Sequence, residues 1–170
     1  MYFMKSVFNM RVFLYLLCVF FLFSCADKHE DYYDNVTLFQ EFVLEVNNYF
    51  YNSNLKDINI SKYYTDDFVF HSYSAGNKKG YETLKEDYIK NLEGMKLKGI
   101  SLNIGHSIYL PGIDQETFDL NGSVRVYYGA TMCHLDSVGV DFSGYQTIDF
   151  LDGKISEKRK SLSLSMIFRI

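Results

Sequence analysis

Ile100-Ser-Leu-Asn-Ile-Gly-His-Ser-Ile-Tyr-Leu110 is the stretch that decides the fold class. Ile100, Leu102, Ile104, His106, Ile108 and Leu110 alternate strictly with Ser101, Asn103, Gly105, Ser107 and Tyr109. A period of two is the signature of a half-buried strand, one face packed and the other wet. Such a strand needs neighbours of its own kind, and the chain supplies them downstream. Val124, Val126, Tyr128, Ala130, Met132 and His134 share one face of a second strand, and a third runs from Tyr145 to Leu151. Asp152-Gly153 is a tight hairpin turn, after which Ser161, Ser163 and Ser165 alternate with Leu162, Leu164 and Met166 in a last strand beginning at Ile155. Pro111-Gly112 and Asn121-Gly122 bracket the first hairpin connection.

Upstream of this block the period changes. Val36, Phe39, Phe42, Val43, Val46, Tyr49 and Phe50 recur at spacings of three and four, which puts one apolar stripe on a helix beginning near Asp34. Asn52-Ser53-Asn54 ends it. A short helical stretch is expected over Leu55 to Tyr64, then a strand at Phe68-Val69-Phe70 and a loop at Gly76 to Gly80. A third helix carries Tyr81, Leu84, Tyr88 and Leu92 on one face, with Gly94 as its stop. Three helices followed by antiparallel strands make an α+β domain with the helices on one face of a sheet.

The order helix, short helix, Tyr63-Tyr64-Thr65-Asp66-Asp67-Phe68-Val69-Phe70, Gly80 opening a third helix, long strands, and Phe150-Leu151-Asp152-Gly153-Lys154-Ile155 resembles the nuclear transport factor 2-like superfamily, also called SnoaL-like. The resemblance covers about residues 34 to 162. It implies a cone-shaped, cystatin-like fold, in which a curved antiparallel sheet wraps a long helix and leaves a pocket at the open end. No cofactor is expected. Members include isomerases, cyclases and dehydratases as well as proteins that only bind partners or dimerise, so the fold alone does not select an activity.

An enzyme of this kind needs a proton-transfer group in an apolar pocket and a donor for the developing oxyanion. His106 is the first candidate, because parity points it where Ile104 and Ile108 point, inward; Tyr128, on the inner face of its own strand, would be the donor. The alternatives are a core histidine and a packing tyrosine whose polar atoms are satisfied. His71 and Tyr73, at the end of the first strand, fall where the family's pocket mouth would lie, and His134 could join them. Three histidines without close pairing do not make a metal site, and none is expected. Asp149 has the opposite parity to Gln146, Ile148 and Phe150, which turns it away from the pocket.

The formal net charge of -4 argues against nucleic acid, which needs clustered Lys and Arg. The one dense basic run, Lys158-Arg159-Lys160, reads as a solvated strand edge. Tyrosine is abundant and tryptophan absent, a surface suited equally to small apolar or hydroxylated ligands and to a homodimer interface.

The N-terminus reads as an address. Lys5 and Arg11 precede an apolar run from Val12 to Phe23, about 12 residues, right for a signal-peptide core and short of the about 20 that cross a membrane. Leu22-Phe23-Ser24-Cys25 resembles the bacterial lipobox, which implies that residues 1–24 are removed and that the Cys25 thiol receives a diacylglycerol. Two or three acyl chains at about 0.8 kcal/mol per buried methylene would hold the protein at an envelope membrane. Residues 25–33 then read as an acidic tether, similar to the segment after the lipidated cysteine of Bacteroidetes-type surface lipoproteins, and residues 34–170 as the domain. With Cys18 lost and Cys25 acylated, Cys133 stands alone, expected buried, and no intrachain disulfide forms. The expected function is that of a non-catalytic envelope lipoprotein binding a small, partly apolar ligand or a protein partner. A SnoaL-like isomerase, cyclase or hydrolase and a structural homodimer are the competing readings.

Overall fold

The computed structural model describes residues 27–73, 80–135 and 137–163. The signal segment, Cys25, loop residues 76–79 and the chain from Leu164 onward lie outside them.

Helix α1 spans Asp27–Tyr51. Its apolar stripe falls as the spacing predicts, with Phe39, Phe42, Val46, Tyr49 and Phe50 buried. It starts about two turns before Asp34, so the stretch from Asp27 read as tether is helix. Stripe spacing reveals only the part of a helix that has a core to cover, and Asp31, Tyr33 and Asp34 just ahead of the stripe are exposed. Lys96 closes the far end. Its ammonium donates to the carbonyls of Tyr49, Asn52 (2.6 Å) and Leu55 (2.9 Å) and sits 4.1 Å from the centre of the Tyr49 ring, satisfying acceptors that a helix C-terminus leaves open.

Two of the expected helices are corrected. Between Leu55 and Tyr64 only Ser61–Tyr63 forms a single 3-10 turn. The residues assigned to the start of the third helix, Tyr81–Leu84, form a short strand, β2, paired with β1 (Tyr64–Tyr73). Helix α2 then runs over Lys85–Leu97. Here cross-strand pairing overrides helical spacing, because Tyr81 and Thr83 suit either element and β1 offers a ladder. Gly94 is an interior residue of α2; the chain turns at Gly99, whose φ of +73° is the left-handed conformation that glycine tolerates.

The sheet is completed by β3 (Ile100–Ile113), β4 (Leu120–His134), β5 (Val140–Leu151) and β6 (Lys154–Ser163). Its order is β2-β1-β6-β5-β4-β3. The last strand returns beside the first in the same direction, so β1 and β6 are parallel and the sheet is mixed, not antiparallel. This also corrects the basic run: β6 lies between β1 and β5, inside the sheet. The Asp152-Gly153 turn joins β5 to β6 as expected. Both helices pack on one face of the sheet, α1 over β4 and β3 and α2 over β1, and Tyr64, Phe68, Val124, Val126, Ile148 and Ile155 are buried in the core. Each such side chain contributes about 1.5–3 kcal/mol relative to exposure.

β3 departs from its own alternation. Ile104 pairs with Ala130, but Ser107 pairs with Tyr128, so β3 carries one extra residue between them. A bulge of this kind reverses parity beyond it. Ser107 and Tyr109 therefore turn toward the helices, while His106, Ile108 and Leu110 are exposed on the opposite face. Asn47 of α1 fixes the site: its amide donates to the Ile104 carbonyl and accepts from the Ile104 N–H, both at 2.8 Å.

Candidate functional site

Between α1, α2 and the inner face of the sheet is a cavity of about 230 Å3. Its wall is mostly apolar, from Phe39 and Phe42 of α1 through Leu92 of α2 to Val126 of β4. Exposed Asn91 and half-buried Thr83, Met95 and Phe142 place one side of it at the surface. The polar groups in the wall are few, and three carry the chemistry: Lys158, Tyr88 and Tyr128.

Lys158 is 1% exposed, although its neighbour Arg159 is exposed. Its ammonium lies 3.6 Å from the centre of the Phe42 ring and within 5.1–5.6 Å of the rings of Phe39, Tyr64 and Tyr88. The negative faces of aromatic rings partly replace the water a buried cation loses. The ammonium also donates to the Tyr64 hydroxyl at 3.1 Å, and the Tyr64 ring packs edge-on against Tyr88 at 5.9 Å between centres. Burial raises the Tyr64 phenol well above its ordinary value. Tyr88 is pushed up to about 12, by burial first, opposed by the hydrogen bond from Tyr64. Both are neutral at physiological pH.

Tyr128 reaches the cavity from β4 because Gly144 stands opposite it on β5. A Cβ at Gly144 would lie 2.4 Å from the Tyr128 hydroxyl oxygen, so only glycine leaves room for the ring there. Gln146 donates to the Tyr128 hydroxyl at 3.3 Å. Burial pushes this phenol up to about 12 against the effect of that bond.

Of the residues proposed from sequence, Tyr128 alone lines the cavity. His106 is on the outer face, displaced by the bulge. His71 and Tyr73 are also on that face: the His71 Nε2 is 2.9 Å from Glu157, itself bonded to Arg159 at 2.8 Å, and Tyr73 is 40% exposed. His134 is exposed at the end of β4. Cys133 is half-buried, not buried, with its thiol free. Asp149 lies half-buried away from the cavity. Among the described residues no group of His, Cys, Asp and Glu gathers to hold a metal ion. Lys158 and Tyr88 were missed by sequence reasoning. Tyr88 was visible on its helical face, but nothing local marks Lys158, whose place depends on β6 returning beside β1.

No protein-family model and no curated protein sequence matches the chain. Solved structures do. A candidate polyketide cyclase from Xanthomonas campestris pv. campestris is similar with a TM-score of 0.57 at 12% identity, over 79% of this chain and 93% of that one. An epoxide hydrolase of M. tuberculosis, described as LEH-like, gives 0.53 at 14% identity over 79% and 86%. An NTF2-like protein from Anabaena variabilis gives 0.53 at 14% over 78% and 92%. Similarity at this identity is similarity of fold.

Proposed function

The chain carries a domain of the nuclear transport factor 2-like fold, a helix packed on a curved six-stranded mixed sheet, and from that premise we propose that it binds a small, partly apolar molecule in its cavity without transforming it. The observation that carries this is the cavity's composition. Its described lining holds no Asp, Glu or His. The two phenols are too weakly acidic to work as a base near neutral pH. His106, the base that the isomerase reading required, is on the other side of the sheet. The cone is not filled, as a purely structural dimer module would have it. An apolar cavity with a few convergent polar groups is the usual form of a small-molecule site.

The test is mass spectrometry on the purified full-length protein, under native conditions and after organic extraction. A bound small molecule in the wild type that is lost in Ser107→Phe, where a ring enters the cavity, is the expected result. An empty wild-type protein, or a bound mass that survives Ser107→Phe, would overturn it.

We further propose that the domain works at an envelope membrane, anchored by lipid on Cys25, on the strength of the charged start, the short apolar run and Leu22-Phe23-Ser24-Cys25. Growth with an alkyne-bearing fatty acid should label the wild type and leave Cys25→Ser unlabelled. Equal labelling of both would remove the anchor.

A further inference from the structure

The direction of the hydrogen bonds around the cavity specifies its ligand more closely than its apolar wall does. An ammonium can only donate, so in the Lys158–Tyr64 contact the Tyr64 oxygen accepts. The Tyr88 ring stands edge-on beside Tyr64, 5.9 Å between centres, and its phenol lines the cavity. On the β4 side a donor is directed inward. Gln146 donates to the Tyr128 oxygen, and the Tyr128 proton is left for the cavity. The two phenols face one space.

The cavity therefore brings the directed O–H of Tyr128, the phenol of Tyr88 and the buried Lys158 into one lining. We propose, building on the small-molecule reading above, that the ligand is an anionic amphiphile: a compact aliphatic or aromatic body bearing one carboxylate, whose oxygens accept from Tyr88 and Tyr128 within the field of Lys158. Charge-assisted hydrogen bonds of this kind are about twice as strong as neutral ones, and a low-dielectric wall strengthens them further. A cationic ligand meets Lys158 at close range and is disfavoured. A neutral alcohol or amide supplies an acceptor but also brings donors, which the inward-pointing Tyr128 proton does not match.

Two probes of the same shape separate charge from shape, 3-phenylpropanoate and 3-phenylpropanamide, titrated into the full-length protein and followed by isothermal calorimetry and ligand-observed NMR. The acid should bind about tenfold or more tightly than the amide, the factor that one charge-assisted bond supplies. Lys158→Met, which keeps the length and apolar volume of the side chain, should bring the two probes together. Should Lys158→Met fail to fold, Tyr128→Phe removes a single hydroxyl and should narrow the preference severalfold. Equal affinities in the wild type would overturn the anionic ligand and leave the cavity reading intact. An acid preference that survives both substitutions would place the anion elsewhere and overturn it too. Failure of both probes, together with an empty protein after extraction, would remove the cavity reading and this inference with it.

Discussion

Lys158 and Arg159 are consecutive residues of β6, and they sit in different solvents. Lys158 is sheathed by the rings of Phe42, Phe39, Tyr64 and Tyr88 on the helix side of the sheet. Arg159 lies on the other side, bonded through Nε and a terminal nitrogen to Glu157 at 2.8 and 3.1 Å. The same division extends across the strands. The inner face is mostly aromatic and aliphatic, with a few polar groups among them. The outer face carries His71, Glu157 and Arg159 beside exposed Ile108, Leu110 and Tyr127. Exposed ion pairs contribute about 0–1 kcal/mol, whereas an inner-face group is either fully compensated or costly. Residue type therefore says less about a side chain's worth in this sheet than the face it occupies.

One aromatic truncation on each face separates the two environments. Phe42 is buried at 3% exposure, with ring centres of Phe39, Tyr63 and Tyr64 at 5.5, 5.9 and 5.6 Å and the Lys158 ammonium on its face. Phe42→Ala should cost about 3–5 kcal/mol of unfolding free energy, through lost transfer and an incompletely collapsed void. Tyr127 is half-exposed on the outer face and touches the Tyr145 ring at 4.7 Å. Tyr127→Ala should cost about 1 kcal/mol or less. Urea denaturation of the two variants decides it, and equal losses would mean that the outer aromatic pair is itself part of a core.

The two faces also differ in how well the sequence displayed them. The stripe of α1, the face of β4 from Val124 to Ala130 and the Asp152-Gly153 turn were legible because each is local: a period of 3.6, a period of two, a dipeptide. The face of His106 was not, because an extra residue in one strand is defined only against its partner. Lys158 was not, because its burial depends on a parallel pairing between strands about 90 residues apart. Tyr128 was readable as inward, and its depth was hinted at by Gly144, a glycine within a strand.

The clamp that holds the bulge acts locally. Asn47 is a polar residue on the core-facing helix, and its whole hydrogen-bonding capacity toward β3 goes to Ile104. Asn47→Ala would leave a partly buried N–H and C=O unsatisfied, at about 1–3 kcal/mol. Hydrogen exchange should quicken at Ile104 and through Ser107, while Val126 in β4 keeps its protection. Uniform acceleration across the sheet would show that Asn47 supports global stability, not the local reversal that turns His106 outward and Ser107 inward.

On the outer face a single carboxyl changes stability only slightly, and with pH. The Asp149 carboxyl is raised above 3.8, by partial burial first, with Arg159 opposing and Glu157 adding to the rise. A raised acid holds its proton more tightly in the folded chain than in the unfolded one. Ionised Asp149 therefore lowers stability above the folded value, and the cost disappears below the unfolded one, where both states are protonated. Asp149→Asn should accordingly raise the melting temperature slightly at pH 7, with the gain fading as the pH falls through the carboxylate range toward 3.8. Arg159 sets the size of the gain, since the asparagine gives up that attraction along with the burial cost. A melting temperature that instead falls at pH 7 would mean that the Arg159 interaction outweighs desolvation, and that even half-buried charges on this face are net stabilising, unlike the ring-sheathed charge behind them.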